Sequence, residues 1–157
     1  MFKTFAVAVL AVVAVGPAMA AEYLTVVTSE VFQTPGTPKE IATRASTCMS
    51  QHLAAGTTDA QLIISSDLDG GTIVARSALE YGSLPRWKIR SRFTLEARDG
   101  RFRIEQTNLE RFNEMGGGWG PIGKWTGSQW KKADETFVAS ATNVARCVID
   151  GPNKAAW

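Results

Sequence analysis

The sequence predicts an α+β domain with an antiparallel sheet of about five strands and two helices packed on one face. Three observations support this fold class. Apolar and polar residues alternate along several segments, turn-forming residues separate those segments, and two other segments carry apolar residues at helical spacing. The order strand, helix, four strands, helix leaves the second face of the sheet polar and open to solvent.

The clearest strand signal runs from Arg86 to Arg98. Apolar residues take one parity and charged residues the other, which is typical of a strand with one buried face. The apolar set is Trp87, Ile89, Phe93 and Leu95. Asp99-Gly100 interrupts the alternation, which resumes over 101–109, as expected for a hairpin whose turn needs a positive φ.

Three further extended segments complete the predicted sheet. Segments 60–67 and 72–81 flank an Asp-Gly-Gly turn and predict a second hairpin. Segment 23–32 is rich in Thr and Val, which favour strands. The glycine-rich and Trp-rich segment 113–127 is predicted to be a loop.

Two helices are predicted, one before the hairpins and one near the C-terminus. Thr37, Pro38 and Glu40 form a capping signature for a helix over 38–53. The second helix follows an apolar stripe and is ended by Gly151-Pro152. That stripe consists of Phe137, Ala141, Val144, Ala145 and Val148.

Residues 1–20 have the features of a secretory signal peptide. Lys3 precedes an apolar run over 5–15 that is too short to span a bilayer, and Ala18-Met19-Ala20 suits cleavage before Ala21. We therefore expect an exported protein, periplasmic or secreted, with one domain over 21–157 and no membrane span after cleavage. Removal of Lys3 leaves 16 basic and 15 acidic residues, a balance that does not predict a nucleic-acid partner.

The segment RWKIRSRFTLEARDGRFRIEQTNLE, residues 86–110, and the helix segment TPKEIATRASTCM, residues 37–49, resemble a family of exported bacterial proteins of unknown function. Members of that family are assigned a TATA-binding-protein-like fold. The resemblance covers residues 23–112 and implies the same fold here. It implies no activity, because a fold of this kind does not specify a function.

Cys48 and Cys147 are the only cysteines, and each falls in a predicted helix. In an oxidising compartment such a pair predicts a disulfide, which would tie the two helices together on one sheet face. Two buried free thiols are the alternative.

Residues with recognisable chemistry are few, and we assign no catalytic residue, metal ligand or cofactor. The single histidine, His52, is expected at a helix end. Gly118–Lys124 has phosphate-loop spacing, but Trp125 stands where a magnesium-binding hydroxyl is needed. Asp67 and Asp69 are typical of a hairpin turn. Glu105 and Glu110 are predicted to face opposite sides of a strand, so they would not form a carboxylate pair.

Basic residues concentrate on the predicted open face of the sheet. Two interpretations stay open: a surface that binds an anionic ligand, or a solvated face on which Glu80, Glu96 and Glu105 interleave with the cations. The candidate ligand-binding residues are Arg86, Lys88, Arg90, Arg92, Arg101 and Arg103, and Arg76 is a further candidate on the same face.

These features predict a small exported binding or interaction module without catalytic activity. The ligand is not specified, but an anionic envelope component or a protein partner fits the basic face. The alternative is a small periplasmic hydrolase that uses a carboxylate or His52 near the segment 113–127.

Overall fold

The computed structural model describes residues 21–54 and 62–152, which form eight strands and two helices. The predicted signal peptide lies outside the described residues. The strands are β1 (Tyr23–Leu24), β2 (Val26–Thr28), β3 (Phe32–Gln33), β4 (Ile63–Asp67), β5 (Thr72–Tyr81), β6 (Trp87–Arg98), β7 (Arg101–Asn113) and β8 (Gly118–Gly123). The helices are α1 (Pro38–Leu53) and α2 (Trp130–Asp150).

All strands join one curled antiparallel sheet, in which β7 is the central strand. Strands β4, β5, β6 and β7 are neighbours in that order. On its other side, β7 pairs with β3 and β2 along its first half and with β8 along its second half, and β1 extends the sheet beyond β8. The two predicted hairpins are present, and Gly100 has the positive φ expected at the turn between β6 and β7.

The prediction of about five strands was too low, for two reasons. The segment predicted as one strand over 23–32 is divided into three. The chain changes partner at Thr25, since Leu24 pairs with β8 and Val26 with β7, and the register against β7 then shifts by one residue between Thr28 and Phe32. The segment 113–127, predicted as a loop, contains β8. Alternation is weak in β8, because glycine and proline occupy most of its positions and only Ile122 is a fully buried apolar side chain.

Both helices pack on one face of the sheet, as predicted. Helix α1 has the predicted bounds and the predicted capping box, in which Thr37 and Glu40 exchange side-chain to backbone hydrogen bonds. Helix α2 begins at Trp130, two turns before the apolar stripe that predicted it. Cys48 and Cys147 are joined by the predicted disulfide, with their Cα atoms 5.8 Å apart.

A buried polar row separates two apolar parts of the core. One part lies under α1 and the C-terminal half of α2, and the other lies under the first turns of α2. Between them Ser91 Oγ donates a hydrogen bond to Gln106 Oε1 at 2.8 Å, and Gln106 Nε2 donates to the carbonyl of Phe137 at 2.7 Å. These bonds satisfy the amide of Gln106, a fully buried residue, and they fix α2 against β7.

Within residues 21–54 and 62–152, no helix has the length and apolar character needed to cross a membrane.

The capping box makes the stability of α1 depend on pH. The backbone N–H and then the hydroxyl of Thr37 donate to the Glu40 carboxylate and lower the pKa of Glu40. A lowered pKa stabilises the folded state above the pKa of the unfolded chain, and this contribution is lost as pH falls through the folded pKa. Glu40→Gln should therefore destabilise the protein at neutral pH, and the difference from wild type should shrink below about pH 4.

Chemical denaturation at several pH values measures this effect. Thr37→Ser, which keeps both donors, is the matched control and should follow the wild-type pH dependence. A difference between Glu40→Gln and wild type that stays constant between pH 7 and pH 3 would contradict the prediction.

Candidate functional site

All but one of the basic residues predicted for the open face lie there, on the side of the sheet opposite to the helices. Along β6 the side chains of Ile89, Phe93 and Leu95 are fully buried under the helices, and the alternate positions are solvent-accessible. The open-face cations within strands are Arg76 on β5, Lys88, Arg90, Arg92 and Arg98 on β6, and Arg101 and Arg103 on β7. Arg86 lies just before β6 and not within a strand.

A β-bulge at Asn108 changes which side chains of β7 reach the open face. Asn108 has φ +52°, and the pairing of β6 with β7 shifts register between Arg90 and Arg92. Upstream of the bulge Glu105 is opposite Thr94, and downstream Glu110 is opposite Arg90, so both glutamates lie on the open face. The prediction that Glu105 and Glu110 face opposite sides was therefore wrong, because the bulge adds one residue to the strand.

Three of the cations on or beside this face are held by glutamates. Arg90 Nε lies 2.6 Å from Glu110 Oε2, Arg103 Nη2 lies 2.8 Å from Glu96 Oε2, and the contact from Arg86 Nη1 to Glu80 Oε2 is longer, at 3.5 Å. Glu80 and Glu96 pair with cations, as expected. Glu105 was expected to do the same but forms no ion pair with a described residue, and Glu110 pairs with Arg90 instead. Exposed pairs of this kind contribute little stability, but they neutralise their arginines.

Two arginines near the middle of the sheet have no such neutralising partner among the described residues. Arg76 on β5 and Arg92 on β6 are directly opposite each other on the open face, and both are exposed. Neither forms an ion pair with a described residue. On the other side of Arg92, the residue opposite is the uncharged Thr107. We call Arg76 and Arg92 the arginine pair.

Beside the arginine pair, Arg90 lies against an aromatic surface. Its guanidinium is 4.3 Å from the ring centroid of Trp119, and the ring of Phe112 meets Trp119 edge-on at 5.4 Å. Contact with Trp119 and the ion pair with Glu110 restrain Arg90 from two directions. Because β8 supplies Trp119, the Gly/Trp-rich segment takes part in the open face. Trp125 instead packs on Gly123, where a Cβ would overlap its ring.

Arg101, also a predicted ligand-binding residue, lies in a separate cluster at the turn of the β6–β7 hairpin. It is opposite Arg98, and the two line a shallow pocket of about 200 Å³ together with Val31, Glu96, Phe102 and Arg103. Six residues of extended strand separate Arg98 from Arg92, which is about 20 Å. The predicted set is thus divided into a central and a hairpin-end group, and one compact ligand cannot contact both.

A second concave feature adjoins the central group, in the gap where β1 and β2 change partner. Here β8 ends its pairing with β7 at Glu110, and β2 begins its pairing at Thr107. The gap forms an open slot of about 380 Å³, which we call the bulge slot. It is lined by Tyr23, Leu24, Thr25, Asn108, Leu109, Glu110 and Pro121.

The other chemistry-bearing residues are far from this face or have structural partners. His52 is in the last turn of α1, on the helix side of the sheet. Asp67 accepts a hydrogen bond from the backbone of Gly70, and Asp69 pairs with Lys39 at 2.9 Å, both in keeping with turn chemistry. Among the described residues, no group of three or more His, Cys, Asp or Glu side chains is placed to hold a metal ion.

Comparison with known proteins identifies the fold. No family model and no curated protein matches the chain. A DUF4468 family protein from Bacteroides ovatus is similar in structure, with a TM-score of 0.61 and 16% identity over 83% of this chain and 89% of that one. A TBP-like protein from Parabacteroides distasonis has a TM-score of 0.57 and 15% identity over 80% of this chain and 90% of that one.

These likenesses confirm the predicted resemblance to bacterial proteins of unknown function with a TBP-like fold. At 15 and 16% identity they establish the fold alone and assign no activity.

Several residues of the site were missed by sequence reasoning, although one signal pointed to them. The buried positions of β7 are even-numbered at Phe102 and Ile104 but odd-numbered at Leu109, a change of parity that indicates a bulge. Recognising it would have placed Glu110 on the open face. Trp119 carried no such signal, because glycine and proline around it obscure any alternation and the segment predicts a loop.

The bulge supplies a testable expectation about stability. Asn108→Val should destabilise the protein by about 1–2 kcal/mol, because a β-branched residue is strained at positive φ. Asn108→Gly accepts this conformation and should stay within about 0.5 kcal/mol of wild type. Urea denaturation of the three proteins measures both differences. Equal stability of the valine and glycine variants would contradict the left-handed geometry at this position.

Proposed function

We propose that this protein is an exported, non-catalytic binding module that holds an anionic ligand on the open face of its sheet. The observation that carries the proposal is the arginine pair. Arg76 and Arg92 are opposite each other, exposed, and without an ion-pair partner among the described residues. Like charges directly opposite each other on adjacent strands are destabilising.

An anion between the two guanidiniums converts this repulsion into attraction. Guanidinium groups present planar forks of N–H donors that match carboxylate and phosphate oxygens, and two forks can share one such group. The neighbouring Arg90 is neutralised by Glu110 and restrained by Trp119, so it adds a fixed polar and aromatic border to the site. The site is therefore suited to a ligand that places one anionic group between the two arginines and lies against the border formed by Arg90 and Trp119.

Export is the second part of the proposal. It is supported by the signal-peptide features of residues 1–20 and by the disulfide, a bond that persists in oxidising compartments. An anionic component of the cell envelope, or a protein with an exposed acidic group, is the class of ligand available there.

The intact mass of the exported protein tests this part. We expect a mature chain that begins at Ala21, because the Ala18-Met19-Ala20 motif suits signal peptidase. Material from the exported fraction that retains residues 1–20 would contradict cleavage at this site.

The alternative function, a small hydrolase acting near the Gly/Trp-rich segment, has less support. Of the carboxylates in or beside this segment, Glu110 is paired with Arg90, Glu22 is paired with Lys124, and Glu114 is exposed on the surface. His52 lies on the helix side of the sheet and cannot act together with an open-face residue. We therefore favour binding.

Replacing the arginine pair should weaken anion binding without lowering the stability of the protein. The double variant Arg76→Gln/Arg92→Gln should lose at least about tenfold in affinity for dextran sulfate at low salt, because two hydrogen-bonded charges are removed. Its free energy of unfolding should be unchanged or should rise by a few tenths of a kcal/mol, because cross-strand repulsion is relieved. Affinity chromatography and urea denaturation measure the two quantities.

The matched control is Lys132→Gln/Arg146→Gln, which removes the same charge from the exposed surface of α2. It should retain most of the wild-type affinity. If both double variants lose the same affinity for dextran sulfate, net charge alone explains the binding, and the proposed site is overturned.

A further inference from the structure

We propose that the bulge slot binds a sugar ring, so that the anionic ligand of the arginine pair is an acidic saccharide. This inference rests on the proposed function and specifies its ligand. It is carried by the position of the slot, by the side chains that line it and by the distribution of carboxylates around it.

The slot opens on the same face as the arginine pair. Glu110 is opposite Arg90 on one side and Pro121 on the other, so both slot residues lie on the open face. Tyr23 alternates with the buried Leu24 and so also faces this side. One slot border, Asn108, directly follows Thr107, which is opposite Arg92. A single ligand can therefore touch both features.

The separation of the two features suits a small saccharide. Arg92, Thr107 and Val26 are opposite one another on three successive strands. Strands lie about 4.8 Å apart, so about 10 Å separates Arg92 on β6 from β2. Thr25, the residue before β2, lines the far side of the slot. A long arginine side chain shortens the gap further. One or two sugar rings with an attached acidic group fit this span.

The lining of the slot has the chemistry of a site for hydroxyl-rich rings. Tyr23 and Pro121 supply flat, partly apolar surface, and Thr25 and Asn108 supply a hydroxyl and an amide. The three polar side chains among them, those of Tyr23, Thr25 and Asn108, form no hydrogen bond with another described residue. Glu110 uses Oε2 for Arg90, and its Oε1 can accept a hydrogen bond from a ligand hydroxyl.

The carboxylates argue against a densely charged polyanion as the natural ligand. Glu110 borders the slot, and Glu105 lies near the arginine pair on the same face. A chain with a phosphate or sulfate on every unit would bring negative charge against both glutamates. A saccharide with few acidic groups places its charge at the arginine pair and its hydroxyls at the slot.

Isothermal titration calorimetry on the mature protein tests the inference with three probes: tri-galacturonate, neutral maltotriose and inorganic polyphosphate. Wild type should bind tri-galacturonate at least about tenfold more tightly than maltotriose. Tyr23→Ala and Asn108→Gly should each weaken tri-galacturonate binding about tenfold and leave polyphosphate binding within about twofold. Arg76→Gln/Arg92→Gln should weaken the binding of both anionic probes.

Controls keep a folding defect apart from a binding defect. Tyr23→Phe retains the ring and should keep most of the affinity, and Asn108→Gly retains the backbone of the bulge. Thermal unfolding of each variant verifies that it is folded.

The outcomes distinguish the two proposals. If both slot variants bind tri-galacturonate as wild type does while the arginine variant does not, the saccharide inference is overturned and the anion site stands. Tighter binding of polyphosphate than of tri-galacturonate by wild type likewise overturns the inference. If the arginine variant binds both anionic probes normally, the proposed function itself fails.

Discussion

Pairing of β7 with strands on both of its sides is the constraint on which the rest of the structure depends. This strand contacts β6 along nearly its whole length and meets β2, β3 and β8 on its other side. A straight strand would keep one parity throughout. The bulge at Asn108 lets β7 bury Phe102, Ile104 and then Leu109 on one face, while it presents Glu105 and Glu110 on the other.

The same bulge creates the concave part of the open face. Because it lies where β2 and β8 divide the edge of β7 between them, backbone irregularity and a gap between strands coincide. Backbone in a sparsely populated conformation persists only where surrounding structure holds it in place, and such positions concentrate at functional sites. The register of β6 and β7 on both sides of Asn108 provides that support here.

Covalent and hydrogen-bonded links on the helix side of the sheet hold the open face rigid. The disulfide joins α1 to α2 across a sequence separation of 99 residues, and the Ser91–Gln106–Phe137 hydrogen bonds fix α2 to the sheet. In the chain-entropy account, closing a loop of that length stabilises the fold by about 4–5 kcal/mol. With its buried face held in this way, the sheet can carry an electrostatically unfavourable arginine pair on its exposed face.

Much of the fold was determined by the sequence alone, because its signals are local. Alternation in 86–98, the turn at Gly100, the cap at Thr37 and the stripe from Phe137 to Val148 each report on neighbouring residues, and each predicted element is present. Alternation over 86–98 and over 101–109 also predicted Arg90, Arg92 and Arg103 on the open face, where they lie in the structure. The cysteine pair predicted the disulfide, because the sequence also predicted an oxidising compartment and two helices on one face of the sheet.

Tertiary structure alone decided the composition of the site. Which arginines are neutralised depends on cross-strand partners: Glu110 reaches Arg90 only because of the bulge, and Arg76 faces Arg92 only through the register of β5 and β6. Trp119 enters the face because β8 pairs with β7, despite a glycine-rich sequence with little strand propensity. These relations are long-range pairings between segments, and a pattern read along one segment carries no information about the register of its partner.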